Sequence, residues 1–182
     1  MEMRSLKHYI YLIGIMMLSA CTSPSLEHHK DTEPRMDLRK YFDGEIKAWG
    51  LVQDWRGNVT RRFDIDLVGS WDGDVGTLQE KFDYYDGKSE ERVWTIKKIA
   101  DDRYEGSAGD ILGKATGRSN GHAMRWKYKM NLTVDGRTYL ITFDDWMFLM
   151  NDGVLINRSY LKKFGITVAE LTIFMQKQNK TE

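Results

Sequence analysis

The stretch Met124-Arg125-Trp126-Lys127-Tyr128-Lys129-Met130-Asn131-Leu132-Thr133-Val134, followed by Asp135-Gly136, decides the fold. Large apolar residues occupy the even positions and polar or charged ones the odd, apart from the turn. This is the period of two that a β-strand imposes, because successive side chains leave opposite faces. Asp135-Gly136 is a two-residue turn signal of the primed type, whose positive backbone angles suit the twist of a hairpin. Such a loop fixes the partners: Leu132 faces Tyr139, Met130 faces Ile141, Tyr128 faces Phe143 and Trp126 faces Asp145. The other face pairs Lys127 with Asp144 and Arg125 with Trp146, an ion pair and a cation–π contact suited to a solvated wall. Asp145 is the anomaly, a carboxylate on the apolar side whose unpaired burial costs several kcal/mol or raises its pKa.

Working outward, Asn151-Asp152-Gly153 marks the next turn. A two-residue loop through Asp152-Gly153 sets Tyr160 opposite Asp145 and Arg158 opposite Met147, diagonally beside Asp145; a three-residue loop shifts this register. The last strand runs over Thr167–Lys177. Upstream, strands are expected over residues 44–54, around Phe63, Ile65 and Leu67, from Leu78 to Tyr84, from Val93 to Ile99 and from Arg103 to Ala108. Gly106, Gly109, Gly113, Gly117 and Gly121 make the following region curved or irregular. The fold class is therefore all-β, an antiparallel up-and-down barrel of about eight to ten strands, since closure removes sheet edges. A β-sandwich is the competing architecture.

The N-terminus carries Arg4 and Lys7, an apolar run from Tyr9 to Leu18, and the small residues Ser19 and Ala20, the three parts of a secretory signal. The run is shorter than the ~20 residues of a membrane-spanning helix. Leu18-Ser19-Ala20-Cys21 resembles the lipobox of bacterial lipoproteins, in which the cysteine is lipidated and becomes the first residue. Cys21 is the chain's one cysteine, so no intramolecular disulfide competes for it. Thr22 after that cysteine, by the enterobacterial sorting rule, points to the outer membrane on its periplasmic face. The organisation expected is a signal peptide over 1–20, a lipidated cysteine and flexible linker over 21–37, and one barrel domain over 38–182. The linker is polar and holds both prolines, with His28 and His29 read as solvated residues lacking further metal ligands.

With 27 basic and 27 acidic side chains the formal net charge is zero, which gives no electrostatic case for nucleic acid. His122 is the single histidine of the folded part, so neither a Ser-His-Asp arrangement nor a Cys/His metal cluster is expected, and no cofactor is implied. Glu80 shares parity with Leu78 and Phe82 and can face inward. A Glu80–Asp145 pair is capable in principle of acid–base work, but spacing alone does not bring the two together. The chain is not read as an enzyme.

Tyr41-Phe42-Asp43-Gly44, Ala48-Trp49-Gly50, Phe143-Asp144-Asp145-Trp146-Met147 and Leu155-Ile156-Asn157-Arg158, ending in Lys163-Phe164-Gly165, resemble the proteobacterial lipoproteins of domain of unknown function 3833. The resemblance covers nearly the whole chain after the linker. It implies a lipocalin-like barrel and, through neighbouring genes for fatty-acid-modifying enzymes, a link to envelope lipids. The resulting expectation is a membrane-anchored periplasmic lipoprotein that binds a fatty acid, phospholipid or other small apolar ligand. Its site is Trp126, Tyr128, Phe143, Asp145, Arg158 and Tyr160, with Arg158 meeting a head group that Asp145 orients. The alternatives are a plain buried ion pair fixing strand register, and a filled barrel that docks an envelope protein partner.

Overall fold

The computed structural model describes residues 24–134 and 136–178, so the expected signal segment and Cys21 lie outside the described residues. Ten strands follow one another: β1 (Gly44–Asp54), β2 (Val59–Asp72), β3 (Val75–Tyr84), β4 (Ser89–Ala100), β5 (Arg103–Ala108), β6 (Ala115–Asn120), β7 (Ala123–Val134), β8 (Arg137–Leu149), β9 (Val154–Lys163) and β10 (Ile166–Lys177). Each pairs antiparallel with its neighbours in sequence, and β10 pairs with β1 to close the barrel. Closure settles the choice against a sandwich: every strand has a paired neighbour on both sides, which removes the edge strands an open sheet would have.

The β7–β8 ladder has the register its turn dictates, with Leu132 opposite Tyr139, Tyr128 opposite Phe143 and Trp126 opposite Asp145. Met124, Trp126, Tyr128 and Met130 therefore point into one apolar core that reaches all ten strands. β5 lies where it was expected and residues 109–114 form an irregular loop, but the rest of the glycine-rich region forms a further short strand, β6. Beside the large inward Tyr104, the inward positions that face Trp126 are small because its ring needs the space: a Cβ on Gly117 would lie 2.1 Å from its indole, and one on Gly106 would lie 2.6 Å from it.

One end of the barrel is closed by the single-turn helix α1 (Leu38–Tyr41), whose N-cap Asp37 accepts from the Lys40 amide. Leu38, Tyr41 and Phe42 are buried as a floor. The Lys177 ammonium binds the carbonyls of Lys40, Tyr41 and Asp43 at 2.7–2.9 Å, supplying cationic partners where the helix ends. Trp71 adds an indole N–H to the Phe42 carbonyl at 3.1 Å. Above the floor, Phe63 packs on Phe82 and Tyr84, and Tyr128 stacks on Phe143 at 4.8 Å, filling the opposite half of the interior.

The segment expected as a flexible linker differs in its described part, residues 24–37, which lies along the outer wall as a strap. A short 3-10 turn, Leu26–His29, buries Leu26 against Ala123 and Trp146. His29 packs edge-on against His122 at 4.9 Å, and the Met36 amide donates to the Gly121 carbonyl at 2.7 Å. Gly121 is required there, since its φ is +56° and a Cβ would meet the His29 carbonyl. The physical reason for the ordering is that Trp146 faces outward and needs an apolar cover, which Leu26 provides.

Candidate functional site

Between the floor and the aromatic upper half lies a cavity of about 100 Å³, lined mostly by apolar side chains with a few polar ones. Asp145 enters from the middle of β8, opposite Trp126 on β7 and Ser159 on β9. Glu80 enters from β3 and is paired across the sheet with Arg92 on β4. The two carboxyl groups thus come from strands far apart in sequence and meet in one chamber because the barrel closes.

Most of the polar atoms around them are already engaged with one another. Arg92 donates from Nε to Asp110 at 2.9 Å and approaches it again through Nη2 at 2.7 Å, while its plane lies over the Phe82 ring. Its remaining approach, Nη1 to Glu80, is 3.9 Å, an electrostatic contact too long for a hydrogen bond. Ser159 donates to the Asn157 side-chain oxygen at 3.0 Å, and Asn157 reaches the Trp146 carbonyl at 3.5 Å. Glu80 Oε2 and Asp145 Oδ1 are buried without a hydrogen-bond partner. Each such orphan costs more than an ordinary hydrogen bond contributes.

The acidities follow from this. Burial pushes Asp145 up to about 7, with the charges of Asp144 and Glu80 adding to the shift and that of Arg92 opposing it. Glu80 is likewise pushed up to about 7 by burial, against the pull of Arg92 and Trp94. Tyr128, between them, is raised well above its ordinary value by burial and then by Asp145. Burial holds both acids toward the neutral form and each opposes the ionisation of the other, so a charge brought near them changes the chamber's ionisation.

Of the residues expected to form the site, Trp126, Tyr128, Phe143 and Asp145 face the interior. Arg158 and Tyr160 do not, and the expected Asp145–Arg158 anchor is corrected. The β8–β9 loop spans three residues, Asn151 to Gly153, with Asp152 and Gly153 at φ of 57° and 71°; the Met150 amide donates to the Val154 carbonyl and the Val154 amide to the Asn151 carbonyl, closing it. That places Ser159 opposite Asp145 and Arg158 opposite Trp146. A slip of one residue sends every side chain of a strand to the other face. Arg158 instead pairs with Glu170 on the outer wall and lies over the Tyr160 ring. Asn157 and Ser159 take the inward places, and Arg92 is a further interior residue not singled out beforehand. Its signal was parity, for Arg92 shares a face with Trp94 and Ile96 as Glu80 does with Leu78 and Phe82.

The outer wall holds a further buried acid. Asp144 accepts from Arg125 at 2.6 and 2.8 Å and from Lys162 at 2.7 Å, with Lys127 at 4.0 Å. Burial raises its pKa, but these hydrogen bonds win and hold it at about 2. Among the described residues no group of three or more His, Cys, Asp or Glu side chains is arranged to hold a metal ion.

A family model described as "Protein of unknown function (DUF3833)" matches residues 15–177. No curated protein matches the chain significantly.

Proposed function

The chain belongs to the DUF3833 family of proteins of unknown function, and from that premise we propose that it is a lipid-anchored envelope protein whose barrel binds a small amphiphile by its polar end. The observation that carries this reading is the Asp145 carboxyl, whose Oδ1 has no hydrogen-bond partner, aimed into a chamber it shares with a second acid, Glu80, whose Oε2 also has none. A barrel needed only as a packed scaffold gains nothing from two buried acids, and an apolar pair of similar size would be more stable. The chamber's 100 Å³ is far below the ~300 Å³ at which small-molecule pockets begin, so the ligand inserts its head and a short apolar length. A whole fatty acid or phospholipid chain does not fit. Attachment through Cys21, with two or three acyl chains giving stable anchoring, keeps the barrel at the bilayer, with the periplasmic face of the outer membrane as the proposed location.

Native mass spectrometry of the full chain, released gently from detergent, tests the reading. A bound small molecule is expected on the wild type, and Asp145→Asn is expected to lose it while the folded charge-state distribution stays the same. An empty wild-type barrel under conditions that preserve other lipoprotein complexes counts against it.

A second reading, docking to an envelope protein, is favoured by a different observation. The end of the barrel away from α1 exposes Trp55 at 71%, Phe164 at 94% and Ile166 at 71%. Large apolar groups gathered at one rim are a surface that a partner would cover. Photocrosslinkers at positions 55 and 164 distinguish the two, because a ligand-binding barrel gives no protein adduct there.

A further inference from the structure

Resting on the binding reading above, we propose that the head group the chamber takes is a cation, a protonated primary amine held between Asp145 and Glu80. The argument begins with charge. Among the described residues the side chains lining the cavity that can carry a charge near neutral pH are Glu80, Asp145 and Arg92, and Arg92 is paired chiefly with Asp110, which it meets at 2.7 and 2.9 Å. Among the described residues Asp145 is then left with no cation in ion-pair reach, and Glu80 with one held at 3.9 Å, too far to donate a hydrogen bond. Both have an oxygen with no donor, and an ammonium has three donors and no acceptor, which is the complement of what is missing.

The walls agree with that chemistry. Trp94, Trp126 and Tyr128 line the same cavity, with Trp94 edge-on to both of the others at 5.9 and 5.3 Å. Aromatic rings are the apolar surface that a cation tolerates, and they exclude water without offering a competing charge. An anionic head fits poorly. Arg92 has its planar fork committed to Asp110 and Phe82, and a carboxylate beside Glu80 and Asp145 would meet two acids that must both be protonated to receive it.

The groups that set the titration are all in view. Asp145 faces Ser159 from β9, Arg92 from β4, Glu80 from β3 and Tyr128 from β7, with Asp144 next to it in β8; Glu80 faces Arg92, Trp94 and Asp110. An amine binds the ionised acids and displaces their protons, so its affinity rises with pH through neutrality. A carboxylate head requires the protonated acids, and its affinity falls over the same range. The sign of the pH dependence therefore reports the charge of the head group.

The full chain in phosphatidylcholine nanodiscs is titrated calorimetrically with n-butylamine, butanoate and butan-1-ol, against empty nanodiscs, at pH 6 and pH 8. The expected result is binding of butylamine that tightens about tenfold or more from pH 6 to pH 8, as two acids near 7 become ionised. Asp145→Asn and Glu80→Gln are each expected to weaken it about tenfold, with thermal unfolding confirming that both variants fold. Preference for butanol, or for butanoate with tightening at pH 6, overturns the cationic head and leaves the binding barrel standing. If none of the three binds and native mass spectrometry also finds the barrel empty, the binding reading itself fails.

Discussion

Asp144 and Asp145 are neighbours in one strand and almost equally hidden, 2% and 6% exposed, yet they differ in acidity by several units because they face opposite walls. On the outer wall Asp144 is met by Arg125 in a two-point grip and by Lys162, with Lys127 close by, so the ionised form is the one the structure wants. On the inner wall Asp145 has aromatic neighbours, an orphan oxygen and a like charge at Glu80, so the fold holds the neutral form more easily. The difference teaches that burial alone does not decide what an acid does; the partners that the alternating strand supplies on each face do. One acid is a structural fastener between β7, β8 and β9, and the other is free to meet something from outside.

The comparison breaks most visibly at the outer wall. Asp144→Ala leaves Arg125, Lys127 and Lys162 crowded together around an emptied site, and the expected cost is about 3–5 kcal/mol of folding stability, read by urea denaturation at pH 7. Because the folded pKa of Asp144 is depressed, the stability it contributes is present above the ordinary carboxylate range and is lost as pH falls toward 2. A loss below 1 kcal/mol would show that the three cations need no counter-charge.

Asp145→Asn should move stability the other way. Its folded pKa is raised, so the penalty is absent below about pH 4, builds as pH rises toward 7 and is level above that, where the chain must hold an unpaired charge indoors. The amide carries no charge, so the variant is expected to be more stable than the wild type by on the order of 2–3 kcal/mol at pH 8, with the gain vanishing near pH 4. Parallel denaturation curves at both pH values test this. An aspartate that proved stabilising at pH 8 without ligand would mean that it already has a partner.

How much of this the sequence discloses depends on what each strand had to accommodate. The β7–β8 hairpin is legible to the residue because a two-residue turn leaves no freedom in its register. β6 is not legible as a strand, since its inward residues, Ala115, Gly117 and Ser119, are small to make room for the Trp126 ring and show no apolar alternation. The strap is hidden for a similar reason: Leu26 and Met36 are isolated apolar residues in a polar stretch, and only the fold shows that they find Trp146 and the core. Asp145 announces itself as an acid on an apolar face, whereas its chamber-mate Glu80 is visible by parity but assigned to the same chamber only by closure.

The β9 register is the instructive failure, and it supplies the smallest expected effect. Leu155 and Leu161 alternate with Asn157 and Ser159 on one parity, while Ile156 and Tyr160 flank Arg158 on the other, so neither face is plainly apolar and the loop length alone decides. Were Arg158 the partner of Asp145, its removal would strand a buried charge and cost several kcal/mol. The structure puts it half-exposed beside Glu170 and over Tyr160, where solvent screens the pair. Arg158→Ala is therefore expected to change stability by no more than about 1 kcal/mol, less at high salt, and to leave ligand retention intact. A large loss, or an altered pH profile at Asp145, would return Arg158 to the interior and with it the two-residue turn. A near-silent substitution keeps Arg158 on the outer wall and leaves Ser159 as the residue opposite Asp145.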